Sequence, residues 1–374
     1  KLKRGEMSGP FFLVKNRKEE ELLTKRSTLI EEIRAEFLSR LKNEKSRYYA
    51  REVFVDALEN FDIKIKISAL LSGIPQDVAS KHIQSPDGAE KLIRLMFPER
   101  TEEQHTADLL TYAFENNLLD NELWLEIVRN HKTKFLEKSK EFDENIKPEF
   151  QADFLASITD LSYRGILPLS IGRITKTLEM ITVKLDDAIE HSFDEKNGSY
   201  DSEQNLALIG SRNFRYKKIL YKIYVHEMMH ALSGKTVRVE VEGDYESMLK
   251  PDRVGLRIIN KFRWLNEAVT ESVTQLMYDK GGDSYVNERK LLDYIIQKSG
   301  VPLQDFYNAY FEHYNPEEKD TDNGAISNWK KLNQKLNSTL GERFLVHLDD
   351  EIKRVGIKKV LESIQEKETP EITK

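Results

Sequence analysis

No cysteine occurs among the 374 residues. That excludes disulfides, thiolate metal sites and a cysteine nucleophile together, so any metal has to be held by His, Asp or Glu. The same absence fits a reducing cytoplasm and equally an exported protein built without disulfides. Long apolar runs are missing too: no stretch reaches the roughly 18 residues that a membrane-spanning helix needs. The basic amino-terminal segment carries an apolar run only from Pro10 to Val14, too short for the core of a signal peptide. A strong excess of one charge sign is also lacking. The 58 Lys and Arg against 64 Asp and Glu leave a net charge of −6, so nothing draws the chain as a whole to nucleic acid or to an anionic membrane. What is present, 39% hydrophobic and 33% charged residues, is the make-up of a soluble chain with a real core.

The chain reads as α+β and mainly helical. From about residue 19 to 114, Leu22, Leu23, Ile30, Ile33, Phe37 and Leu41 recur at three- and four-residue steps among Lys, Arg and Glu, the spacing of amphipathic helices. A second, charge-rich helical stretch runs from about Asn121 to Glu141. Residues 15–165 form an N-terminal helical region without a chemical signature, fitted to scaffolding or to binding a protein partner. Residues 166–367 form the second domain, and 368–374 a polar tail. In the second domain the pattern predicts a helix from Lys176 to His191 and a short strand from Asn205 to Gly210. A helix from Tyr216 to Leu232 follows, ended by Ser233-Gly234 in the manner of a glycine C-cap. Val237, Val239 and Val241 alternate with charged residues as in a half-exposed strand, with Gly255 to Ile259 as its candidate partner. Trp264 to Tyr278, 285–299 and 302–313 read as helices.

The chemistry is concentrated in His226-Glu227-Met228-Met229-His230. At about 100° per residue, positions i and i+4 lie some 40° apart on a helix, so both imidazoles can bind one zinc ion from the same side. Glu227 projects beside them, placed to work on a water. Ile219, Leu220 and Ile223 before the motif and Ala231 and Leu232 after it predict a buried helix. Histidines on the buried side of such a helix need polar partners, which a metal supplies. Downstream, Asn266-Glu267-Ala268-Val269-Thr270-Glu271 sets two carboxylates at i and i+4 among apolar neighbours. One can complete the metal site while the other braces a ligand histidine.

HExxH followed by NExxxE resembles the gluzincin peptidases, of which the thermolysin-like enzymes are the familiar case. The resemblance covers roughly residues 216 to 278. It implies a zincin-like catalytic domain with a small β-sheet and active-site helices. It also implies Glu267 as third zinc ligand, Glu271 as the acid bracing a ligand histidine, and Asn266 as part of the same pattern. The separation between His230 and Glu267 is longer than in thermolysin, and the intervening strands read as an inserted hairpin.

The implied activity is zinc-dependent hydrolysis of peptide bonds in a peptide or protein substrate, with Glu227 activating the water. For the residue that stabilises the oxyanion, Tyr285 leads, with Tyr245 and His313 as alternatives. The strand at Leu206, Ala207 and Leu208 is the candidate edge for pairing with an extended substrate. His82, His105, His131, His191 and His347 have no ligand spacing and read as structural or solvated. Rival readings are a zincin-fold metal-binding protein without peptidase activity whose helical half binds a partner, a helical protein with an accidental motif, and a bacterial effector or toxin protease acting on a specific protein.

Overall fold

The computed structural model describes residues 28, 31, 34, 35, 39, 53, 54, 56, 57, 59–72, 114, 119–186, 198–242, 246–258, 261–278, 284–312 and 327–368. The protein is α+β and mainly helical. It divides into two compact units, residues 1–138 with 186–196, and 139–185 with 197–374.

Within the first unit lie α1 (Phe61–Ser72) and most of α2 (Asn121–Glu141). Phe54, Phe114 and Trp124 pack edge-on and tilted, with Phe114 and Trp124 centroids 4.8 Å apart, and Val53, Ile63, Ile67 and Ile127 close around them. One polar cluster is sealed inside. Asp56 Oδ2 lies 2.7 Å from His131 Nδ1, and Lys138 Nζ donates to Asp56 Oδ1 at 3.0 Å. His131 is therefore a structural histidine, while His347 is exposed. Residues 82, 105 and 191 lie outside the described residues.

The second unit opens with a π-turn at Phe142–Ile146, then α3 (Lys147–Tyr163), α4 (Ile171–Met180) and β1 (Thr182–Asp186). Pro148 in the first turn of α3 and Ser170, whose side chain accepts Arg173 N–H at 3.2 Å, start the two helices. Phe150 and Phe154 of α3 pack on Tyr224, so this helix belongs to the core around the HExxH segment. The helix expected over 176–191 is corrected: it ends at Met180. Thr182 and Val183 are β-branched and the burial alternates along Thr182–Asp186, a period-two pattern that a sheet satisfies and a helix cannot.

Next come β2 (Gly198–Asp201), β3 (Leu206–Gly210) and α5 (Lys217–Leu232). The first sheet has the order β1-β3-β2, with β2 and β3 antiparallel and Gly198 opposite Ile209. α5 is buried through Leu220 and Ile223 to Leu232, although Ile219 is exposed, contrary to the sequence reading. Gly234 does not end α5 by a left-handed cap. It is needed for close approach instead, since a Cβ there would lie 1.8 Å from Glu312 O.

A hairpin of β4 (Lys235–Glu242) and β5 (Glu246–Val254) follows, with β6 (Arg257–Ile258) on the outer side of β5. The partner of β4 is thus β5 rather than the segment after Gly255. The hairpin neck is tied by Gly255 N–H donating to Gly234 O at 2.7 Å. The rest is helical: α6 (Arg263–Met277), α7 (Val286–Ser299), α8 (Leu303–Tyr310), α9 (Asn328–Leu340), α10 (Phe344–Val355) and α11 (Ile357–Glu368). Among the described residues no helix is long and apolar enough to cross a membrane.

Candidate metal centre

Two antiparallel helices build the site. On α5, Lys222, His226 and His230 succeed one another at one-turn intervals, and on α6 so do Glu267 and Glu271. The side chains mesh in steps. Lys222 Nζ lies 2.6 Å from Glu271 Oε1. His226 Nδ1 lies 3.3 Å from Glu271 Oε2, and His226 Nε2 lies 3.3 Å from Glu267 Oε2. His230 Nε2 lies 3.2 Å from the same Glu267 oxygen and 3.2 Å from His226 Nε2.

Those last three atoms form a near-equilateral triangle. A tetrahedral ion with ligand bonds of about 2.0–2.1 Å has ligand–ligand edges of about 3.3 Å, so the donor set fits one face of such an ion. The proton arithmetic agrees. Glu271 is best served by an Nδ1–H on His226, which leaves the lone pair of a neutral ring on Nε2. That lone pair would meet a carboxylate oxygen and a second imidazole nitrogen, which is repulsive unless a positive charge lies between them. Burial works against a charged His226 ring, but Glu267, Glu271 and Glu227 outweigh it and raise the ring to about 10. Burial likewise opposes the Glu267 carboxylate charge, yet the two histidines hold it well below the usual range. Such a field favours a cation. The side chains of His226, His230 and Glu267 keep 9–11% of their surface exposed. His226, His230 and Glu267 form a buried group able to hold a metal ion.

The second layer is closed. Glu271 is fully buried and, against that burial, is held low by His226 and Lys222. Behind His230, Thr270 Oγ1 lies 3.4 Å and Asn266 Nδ2 3.3 Å from Nδ1. Asn266 Oδ1 accepts Leu256 N–H at 2.9 Å, Thr270 donates to Asn266 O, and Tyr310 OH reaches both Thr270 Oγ1 and Met229 O.

Glu227 is buried on the motif helix. Its carboxylate lies against Gly198, where an added Cβ would come 2.8 Å from Oε1 and 2.7 Å from Ile223 Cγ2. Tyr285 stacks on the His226 ring, with centroids 5.2 Å apart and planes within 7°. Burial, then the charges of Glu267 and Glu227, push its phenol far up. Residues 245 and 313, the other two oxyanion candidates, lie outside the described residues.

The expectation for Leu206, Ala207 and Leu208 meets a different topology. β3 is the middle strand with neighbours on both sides, and the strand beside Glu227 is the edge strand β2. A central strand has no free backbone edge to offer a substrate. Sequence reasoning also missed Lys222, Thr270 and Tyr310. Lys222 stands one turn before His226, where a lysine reads as solvated until its partner Glu271 is known. Tyr310 had no signal, since nothing in the sequence pairs it with Thr270.

The chain matches no protein-family model, no curated protein sequence and no solved structure. The assignment that closes on this site is therefore the one its own geometry carries, a buried His–His–Glu group fitted to a metal ion.

Proposed function

We propose that the protein is a zinc-dependent peptidase, with His226, His230 and Glu267 as ligands and Glu227 as general base. The triangle of two Nε2 atoms and one carboxylate oxygen, 3.2–3.3 Å on each side, carries the reading. Two imidazoles disfavour Mg²⁺ and Ca²⁺, which take oxygen ligands, and a His2Glu set with an open position is a known form of catalytic zinc. When bound, zinc polarises the scissile carbonyl and makes a water acidic near neutral pH.

The residues of the chain do the rest. Glu227 takes a proton from the attacking water and returns it to the leaving amine. Glu271 and Thr270 accept from the Nδ1–H groups of His226 and His230 and so orient the two imidazoles, leaving both Nε2 atoms for the ion. The Tyr285 hydroxyl donates to the oxygen of the scissile carbonyl as charge develops there. The outer edge of β2, next to Glu227, aligns an extended peptide by backbone hydrogen bonds.

The test is Glu227→Gln in a mixed-peptide hydrolysis assay with and without a chelator. Wild type should cleave only without chelator. The variant should keep its zinc by elemental analysis and lose activity by about 10²–10⁴-fold. Zinc-loaded wild type that cleaves nothing in the library would leave a metal-binding protein without peptidase activity. Purified protein that takes up no zinc sinks the metal reading itself.

A further inference from the structure

We propose that Lys222 is a positioning residue of the metal centre, acting through Glu271 on His226. The inference rests on the zinc reading above and deepens it.

Lys222 and Glu271 are sealed in, with 10% and 0% of their side-chain surface exposed. A lysine at such burial needs an anion, and Glu271 is the one it meets. The contact is an ion pair at 2.6 Å, and Oε1 accepts no aligned hydrogen bond, so the ammonium charge is what this oxygen has for a partner. The opposite oxygen, Oε2, faces His226 Nδ1. The carboxylate is therefore held from two ends: by the ammonium on Oε1 and by the imidazole of a metal ligand on Oε2. Removing the ammonium leaves a fully buried carboxylate with one unpartnered oxygen and nothing to hold it from that end, so it is free to turn. Turning withdraws the acceptor that holds His226 Nδ1–H and aims Nε2 at the ion.

The charge count points the same way. Glu227, Glu267 and Glu271 bring three negative charges into one low-dielectric pocket. A divalent ion offsets two of them, and Lys222 supplies the third positive charge. Lys222 Nζ also lies 3.4 Å from Ser284 Oγ. Ser284 precedes Tyr285, so the same ammonium touches both segments that flank the His226 ring.

The experiment measures zinc affinity of the full chain by competition with a chromophoric chelator, for wild type, Lys222→Met, Lys222→Arg, Glu271→Gln and the double variant Lys222→Met/Glu271→Gln. Removing an orienting partner typically lowers metal affinity 10–100-fold. Lys222→Met should therefore bind zinc about tenfold more weakly, and Lys222→Arg should recover most of the loss. In the Glu271→Gln background, removing Lys222 should change affinity less than twofold, because there is no longer a charge to hold. Should Lys222→Met alone not fold, the double variant, which removes both charges, gives the same comparison against Glu271→Gln. Wild-type affinity in Lys222→Met, or losses from the two single substitutions that multiply in the double variant, overturns the proposal while leaving the zinc site standing. Absence of zinc binding in wild type removes both.

Discussion

Tyr285 enters its helix from the left-handed region, at φ 52°, a conformation bulky residues rarely adopt and one that tends to persist where surrounding structure demands it. Here the demand is visible: the ring stacks on His226, with planes within 7°. Tyr285→Phe keeps the ring and removes only the donor. It should lower kcat by roughly 10²-fold with zinc affinity nearly unchanged, as read by steady-state kinetics beside a zinc competition titration. Unchanged kcat would make the tyrosine a packing residue. At this scale the four motif positions were legible because helical spacing alone puts His226 beside His230 and Glu267 beside Glu271. Lys222 was not, because a lysine at i−4 reads as a solvated one until its partner across the helix pair is known. Thr270 was equally hidden: its hydroxyl bonds its own helix at Asn266 O while lying behind a ligand of another.

Between elements, the contact that borders Glu227 is β2 against α5. Gly198 faces Ile223 Cγ2 and Glu227 Oε1 at distances no Cβ tolerates. Gly198→Ala should push the strand away from the base, cost about 1–3 kcal/mol and reduce turnover more than zinc binding. Denaturant titration and a chelator competition on the same preparation check this, and full activity in a fully stable variant would contradict it. The long helices were readable in advance, α2 to the residue and α5 and α6 to within one position at their starts, since their apolar periodicity is sustained. The short strands were readable in part: Leu206–Gly210 and the strand through Val237, Val239 and Val241 were, Thr182–Asp186 and Gly198–Asp201 were not. Thr182–Asp186 has too few residues for its alternation to outweigh a helical prefix. The central place of β3 depends on β1 pairing with it on the side away from its hairpin partner β2, which local sequence does not encode.

For the molecule as a whole, the division into two compact units predicts two separable unfolding transitions. Zinc should raise only the one belonging to residues 139–185 and 197–374, by about 4 kcal/mol at a thousandfold excess over Kd. Calorimetry with and without chelator reads this directly, and a single transition that shifts as one would refute it. The other unit should answer to acid instead. Burial opposes a charged Asp56, but the His131 hydrogen bond and Lys138 outweigh it and hold the carboxyl below its ordinary 3.8. A depressed carboxyl contributes stability that is present above its unfolded value and lost as pH falls through its folded one. Asp56→Asn should therefore lower the first unit's stability near neutral pH by roughly 3 kcal/mol. It should also flatten the decline below about pH 4, as seen in acid titrations of both proteins.

The tie between Gly234 and Gly255 has a further consequence for how this scaffold can vary. Because the chain is cinched there, the path from one ligand-bearing helix to the other is short in space however long it is in sequence. The length and sequence of the two strands between residues 238 and 250 should therefore be open to shortening or exchange while the imidazoles and the carboxylate keep their places.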